Sequence, residues 1–140
     1  MKDVNIDAAS GTLRIISCGW SFAPGLRLAE FQASEAGKSA QQISKISNHY
    51  QIRVNDEGWL CGLVLMFGAE SIQGILLGFS ETEMTWADWK KDKEERRKKV
   101  HDNFLRAQLG PPPYLYPWGR VVSALDPHDS TARIVIHYGR

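Results

Sequence analysis

The chain has 140 residues, 43% of them hydrophobic, with 17 lysines and arginines against 16 aspartates and glutamates. That length suits a single domain over residues 1–140, built on one core and short for two. The near balance of charge leaves no global field that favours nucleic acid or an anionic membrane, so any electrostatic specialisation is local. The two cysteines, Cys18 and Cys61, belong to no Cys-x-x-Cys pair and have no histidine at ligand spacing, so both read as buried thiols. The opening Met1-Lys2-Asp3-Val4-Asn5 lacks the apolar run of a secretory signal, which points to the cytoplasm. Trp59 to Phe79 is the most apolar window, but Gly68-Ala69-Glu70-Ser71 and Gln73 cut it into runs too short to cross a bilayer of about 30 Å as helix.

In chain order, residues 1 to 10 carry no clear pattern and are expected to fray. Leu13 to Ile16 reads as a short strand between Gly11 and Gly19, and Ala23-Pro24-Gly25 as a turn. A strand is expected over Leu26 to Phe31, and a polar loop with a helical turn over Ser34 to Ser47. Tyr50 to Val54 is strand-like, and Asn55-Asp56-Glu57-Gly58 has hairpin-turn chemistry. In the next strand Trp59, Cys61, Leu63, Leu65 and Phe67 alternate with Leu60, Gly62, Val64 and Met66, which predicts a central strand covered on both faces. From Ile72 to Phe79, alternation groups Gln73, Ile75, Leu77 and Phe79, while Gly74 and Gly78 leave room for a helix to pack closely.

A charge-rich helix is expected from Thr85 to Leu109, started by a capping-box variant at Thr85-Trp86-Ala87-Asp88 and ended by Gly110-Pro111-Pro112-Pro113. Its acid-before-base pairs at i,i+4 (Asp92 with Arg96, Glu94 with Lys98, Glu95 with Lys99) predict a solvated middle. Trp86, Trp89, Val100, Phe104, Ala107 and Leu109 are its apolar anchors. Arg120 to Leu125 and Arg133 to Tyr138 then flank Asp126-Pro127-His128-Asp129-Ser130, a closing hairpin. The fold class implied is α+β, an antiparallel sheet with one long helix of the C-terminal half packed across it.

The residues His101-Asp102, Leu105, Gln108-Leu109-Gly110, Tyr114, Trp118-Gly119, Ser123, Asp126-Pro127 and Ile134-Val135-Ile136 form a recognisable pattern. It resembles small uncharacterised bacterial proteins whose tails read Trp-Gly-x-Val-x-Ser, then Asp-Pro, then an apolar strand. Such domains are similar in type to immunity proteins that neutralise toxins. The resemblance implies a toxin as partner and supplies no catalytic residue. Arg120 stands where that pattern has an acidic residue.

The reactive side chains are scattered. Neighbours on a helix, His101 and Asp102 point about 100° apart; His128-Asp129 falls in a turn, and His49 and His137 are isolated. Cys61 sits among apolar residues that hold a thiol neutral. No nucleophile elbow or phosphate loop is present, so no catalytic residue, cofactor or metal is expected; a small enzyme using His101 or His128 with its neighbouring acid is an alternative. Lys90 to Lys99 holds seven basic and three acidic residues, the basis of a nucleic-acid alternative, but no aromatic side chain interleaves it to stack bases. The expected function is that of a small cytoplasmic binding protein, an immunity protein acting by occlusion. Asp56, Glu57, Glu70, Glu81 and Glu83 in exposed turns, with Trp89, Arg96 and Arg97, are its candidate partner contacts.

Overall fold

The computed structural model describes residues 2–43, 48–80, 91–125 and 131–139. The chain opens with three antiparallel strands, β1 (Val4–Ile6), β2 (Leu13–Ile15) and β3 (Trp20–Phe22), paired in that order. The opening residues, expected to fray, are held. Val4 and Ile6 are buried, and the Asp56 carboxylate accepts from the backbone N–H groups of Lys2 (2.9 Å), Asp3 (3.0 Å) and Val4 (3.3 Å). Strand β2 falls within the strand expected over Leu13 to Ile16, whereas β1 and β3 carry too little alternation to be read, and tertiary contacts decide them.

Residues 26 to 31, expected as strand, start a helix instead. Arg27 makes one isolated bridge to Ser71. The Glu30 carboxylate then accepts the Arg27 N–H at 3.2 Å and starts α1 (Leu28–Ala33). Phe31 is buried against Phe22, Tyr50 and Phe67, with ring centroids 5.1 to 6.2 Å apart. The Ser34 hydroxyl, accepting from the Gly37 N–H at 3.0 Å, caps α2 (Glu35–Ser39), and β4 (Gln41–Gln42) follows.

The remaining elements are β5 (Asn48–Asp56), β6 (Trp59–Phe67), β7 (Ile72–Ser80), α3 (Lys91–Leu109), β8 (Tyr114–Tyr116), β9 (Gly119–Leu125) and β10 (Ala132–Tyr138). The strands from β4 onward form one seven-stranded antiparallel sheet in the order β4-β5-β6-β7-β10-β9-β8. The fold is therefore α+β. The middle strand is β7, with β6, the expected centre, one place aside. Glu57 and Gly58, both at positive φ (49° and 85°), make the two-residue turn between β5 and β6, while Asn55 and Asp56 stay in the strand.

Cys61, Leu63, Leu65, Phe67, Ile75, Leu77, Phe79, Ile134 and Ile136 line the buried side of the sheet. A register shift at Met66/Phe67 puts Ile72 on this side and turns Gln73 to solvent, against the expected grouping. Here α3 packs through Phe104 and Leu105, with the Phe79 and Phe104 rings 4.9 Å apart. The capping box at residues 85–88, with Trp86, and the β9–β10 connection at 126–130 lie outside the described residues.

The Trp118–Gly119 pair has a structural role. Trp118 stacks on Tyr116 at 4.8 Å and donates from Nε1 to the Ala8 carbonyl at 2.8 Å. A side chain at Gly119 would run into the His137 carbonyl. The Tyr138 hydroxyl donates to the Gly11 carbonyl at 2.7 Å, so the tail of the chain fastens its beginning.

Asp56→Ala removes the acceptor for three N–H groups, the buried one of Val4 included. We expect a loss of about 2–4 kcal/mol in stability, read as a lower urea midpoint with the β6–β7–β10 amides still the slowest to exchange.

Candidate functional site

Strand alternation sends every second side chain to the opposite side of the sheet, and there the expected second cover is missing among the described residues. Register aligns Gln51, Val64, Leu76, Val135 and Val122 in one row across five strands. A second row runs His49, Met66, Gly74, His137, Arg120 and Leu115. Toward the other end Arg53, Gly62 and Gly78 align, and Arg133 pairs with Ala124. Most of these residues are half-buried, while Val122 is 42% and Leu115 70% exposed. The described residues of this open face include arginines and histidines and no carboxylate.

Beyond the pairing of Leu77 with Ile134, the β7–β10 register stops. The donors left at the split are met from α3. The Phe79 N–H donates to His101 Nε2 at 3.1 Å, and the Ala132 N–H to Glu94 Oε2 at 2.9 Å. Glu94 and His101 are seven residues apart, two helical turns, and so share a face; both are buried, at 1% and 0% exposure. Arg97 donates through one terminal nitrogen to both Glu94 oxygens, at 3.0 and 3.2 Å. The helix middle is thus not wholly solvated as expected, and the Glu94 partner is Arg97 at i,i+3 rather than Lys98, which pairs with Asp102 at 3.1 Å.

At this split lies a cleft of about 330 Å³ that opens on the exposed face. Arg53 of β5, Arg97 of α3 and Arg133 of β10 line it, with Gln51, Ser80 and Thr131. Its floor is Leu60, Gly62, Val64, Leu76 and Gly78. Gly62 and Gly78 face each other across β6 and β7, and no described atom lies within 4 Å of where either Cβ would stand. The helix expected against Gly74 and Gly78 is not on this side among the described residues; α3 packs on the other.

The acidic candidates form no patch. Asp56, expected exposed, is 1% exposed and used up on the N-terminal amides. Glu57 and Glu70 are exposed, but at opposite ends of β6, roughly 30 Å apart at about 3.3 Å per residue. Glu81, Glu83 and Trp89 lie outside the described residues. Arg96 is exposed on the outer side of α3, while Arg97 turns to the cleft. Sequence reasoning missed Arg53, Arg133 and the facing glycines, although alternation places Arg53 opposite the buried Ile52.

The catalytic candidates diverge as well. His101 is buried on Phe79, whereas Asp102 turns toward Lys98. Burial, with help from Arg97 and Lys98 against Asp102, pushes the imidazole down to about 4. His137 is also lowered, by burial and by Arg120. The Cys61 thiol is pushed well up by burial and then by Asp56 and Asp3, while Cys18 is exposed, contrary to expectation. His128 lies outside the described residues, among which no group of three His, Cys, Asp or Glu side chains could hold a metal. No helix among the described residues is long and apolar enough to cross a membrane. No protein-family model, curated protein or solved structure matches the chain.

A histidine held neutral below its ordinary pKa binds fewer protons folded than unfolded, so stability is whole above about 6.5 and falls as pH drops toward 4. The span is worth about 3 kcal/mol. Urea unfolding should show this slope in the wild type and a much shallower one in His101→Asn over the same pH window.

Proposed function

We propose that this protein is a small cytoplasmic binding protein that occludes a protein partner by laying the open face of its seven-stranded sheet against it, in the manner of an immunity protein neutralising a toxin. The observation that carries the reading is that face. It combines a row of aliphatic side chains, Val64, Leu76, Val135 and Val122, with arginines and no carboxylate among the described residues. Contiguous apolar surface rimmed by polar groups is characteristic of protein contacts. Arg120, exposed beside Leu115, suits an acidic partner surface, the reverse of the complementarity expected from the turns, whose acidic residues are dispersed and one of which, Asp56, is internal.

The nucleic-acid alternative gains less support. Arg97 and Lys98 of the basic helix are engaged with Glu94 and Asp102, and the described open face has no aromatic ring on which a base could stack.

Tagged protein should recover, from its native host, a protein encoded next to it at near-equal stoichiometry. Val122→Glu combined with Leu115→Glu, two exposed positions on the face, should cut that recovery by tenfold or more, about 1.4 kcal/mol, with the melting temperature unchanged. Capture that survives both changes, or repeated recovery of nothing, would overturn the reading.

A further inference from the structure

The seven-stranded sheet ends at β8, and no strand pairs with its outer side among the described residues. An edge strand holds backbone N–H and C=O groups that face away from its one partner, and such groups accept a further strand. Sheets commonly guard an edge with a charge or a bulge. Strand β8 has neither, and its middle residue is Leu115, 70% exposed. Tyr114 and Tyr116 turn to the other side, the first buried and the second stacked on Trp118. Pro113 and Pro117, which have no N–H to give, bracket the strand and limit what it can pair with to a short segment.

Beside this edge runs a groove of about 520 Å³, lined by Leu115, Tyr116, Pro117, Gly119, Arg120 and Gly139. Arg120 stands opposite Leu115 in the β8–β9 register, so the two side chains share the open face. It is exposed, and it makes no hydrogen bond or ion pair among the described residues. Its titratable neighbour in the row, His137, is a base held below its ordinary pKa by burial and by Arg120 itself. Gly139, at a φ of 87° and with no described atom within 4 Å of its Cβ position, adds no side chain to close the groove. The edge therefore suits an extended chain, and the guanidinium suits an acid. A second copy of this chain does not supply that acid, because two β8 edges paired about a two-fold axis bring Leu115 to Leu115 with an arginine on either flank.

We infer that the β8 edge receives an extended segment of a protein partner as an eighth strand, with an apolar residue against Leu115 and an acidic residue, two positions away, in the Arg120 groove. This rests on the open sheet face being the binding surface, and it gives the chemistry of the segment that anchors there. Alternate side chains of an added strand share a face and stand about 7 Å apart. A residue placed on Leu115 thus sets its second neighbour past the end of β8, over Pro117 and the groove. Backbone bonds along the edge supply affinity whatever the sequence, while the leucine and the guanidinium select the apolar–acidic alternation.

The test is a titration of the full chain followed by the Leu115 amide and Arg120 Nε–H resonances. The probes are succinate and two blocked pentapeptides of one composition, Glu-Thr-Val-Thr-Glu and Thr-Glu-Val-Glu-Thr. Only the first carries its acids on the same side as its valine when extended. It should give saturable shifts at both positions and bind about fivefold or more tightly than its isomer. Arg120→Gln, at an exposed position, should weaken it by about tenfold with the melting temperature unchanged. Of two forms of this peptide, N-methylated at the valine or at both threonines, one should lose binding and the other keep it, since one edge of an added strand faces β8. Absence of saturable shifts overturns the inference, as does equal binding of the two isomers, equal binding of the two methylated forms, or undiminished binding by Arg120→Gln. Succinate binding as tightly as the peptide assigns the groove to a free small carboxylate and overturns the protein source. Self-association that broadens the Leu115 amide and is abolished by Leu115→Glu assigns the edge to a second copy and overturns it as well. If Arg120→Gln captures the partner undiminished while Val122→Glu with Leu115→Glu does not, the edge inference falls and the face reading stands. If that double variant leaves capture intact, the face reading falls.

Discussion

Two backbone donors, the N–H groups of Phe79 and Ala132, have to be satisfied inside the protein where β7 and β10 part, and two α3 side chains do it. Buried N–H groups left alone cost about 1–3 kcal/mol each, so helix and sheet are locked in register by polar bonds as well as by packing. A rotation of α3 by one residue, about 100°, would carry Glu94 and His101 off the split together. The same lock fixes Arg97, which meets Glu94 on one side and the cleft on the other. The interior of the domain and its open face therefore share one constraint.

The long elements were legible and, β2 apart, the short ones were not, for reasons that separate cleanly. Alternation over nine residues in β6 and β7 is a signal that few other structures reproduce, and the turn at Glu57-Gly58 needs residues tolerant of positive φ. Leu26 to Phe31 offered six residues with mixed faces; what made it helix was Glu30 reaching back to the Arg27 N–H and Phe31 finding the Phe22, Tyr50 and Phe67 rings, contacts made across the chain. Strand β1 depends likewise on Asp56, fifty-two residues from Val4. Local pattern holds no trace of such partners.

Glu94 is the sharpest case. Within the run from Lys91 to Lys99 it resembles its neighbours, and helix periodicity pairs it with Lys98. Its burial follows from the opening between β7 and β10, which no helical pattern contains. The acidic turn residues failed as a patch for a related reason. Turn chemistry says that a residue sits at the end of a strand but not at which end of the sheet, and antiparallel succession puts Glu57 and Glu70 at opposite ends of β6. The arginines are brought together by the converse geometry. Arg53 and Arg133 lie on strands separated by β6 and β7, and only the assembled sheet makes them two walls of one cleft.

The facing glycines carry a cost in stability. Glycine in a strand interior gives up roughly 0.5–1 kcal/mol relative to alanine through the freedom that its unfolded backbone retains, and Gly62 and Gly78 incur this in the most regular part of the sheet. At Gly119 the cost is forced by the His137 carbonyl and at Gly74 by that of Ile136; at the facing pair nothing in the described fold forces it. Local conflict with propensity, in a sheet that elsewhere agrees with its sequence, concentrates where a protein meets something other than itself. The split that demands Glu94 and His101 borders the same cleft. Two departures from the cheapest sheet, one in backbone pairing and one in side-chain size, thus adjoin one cleft.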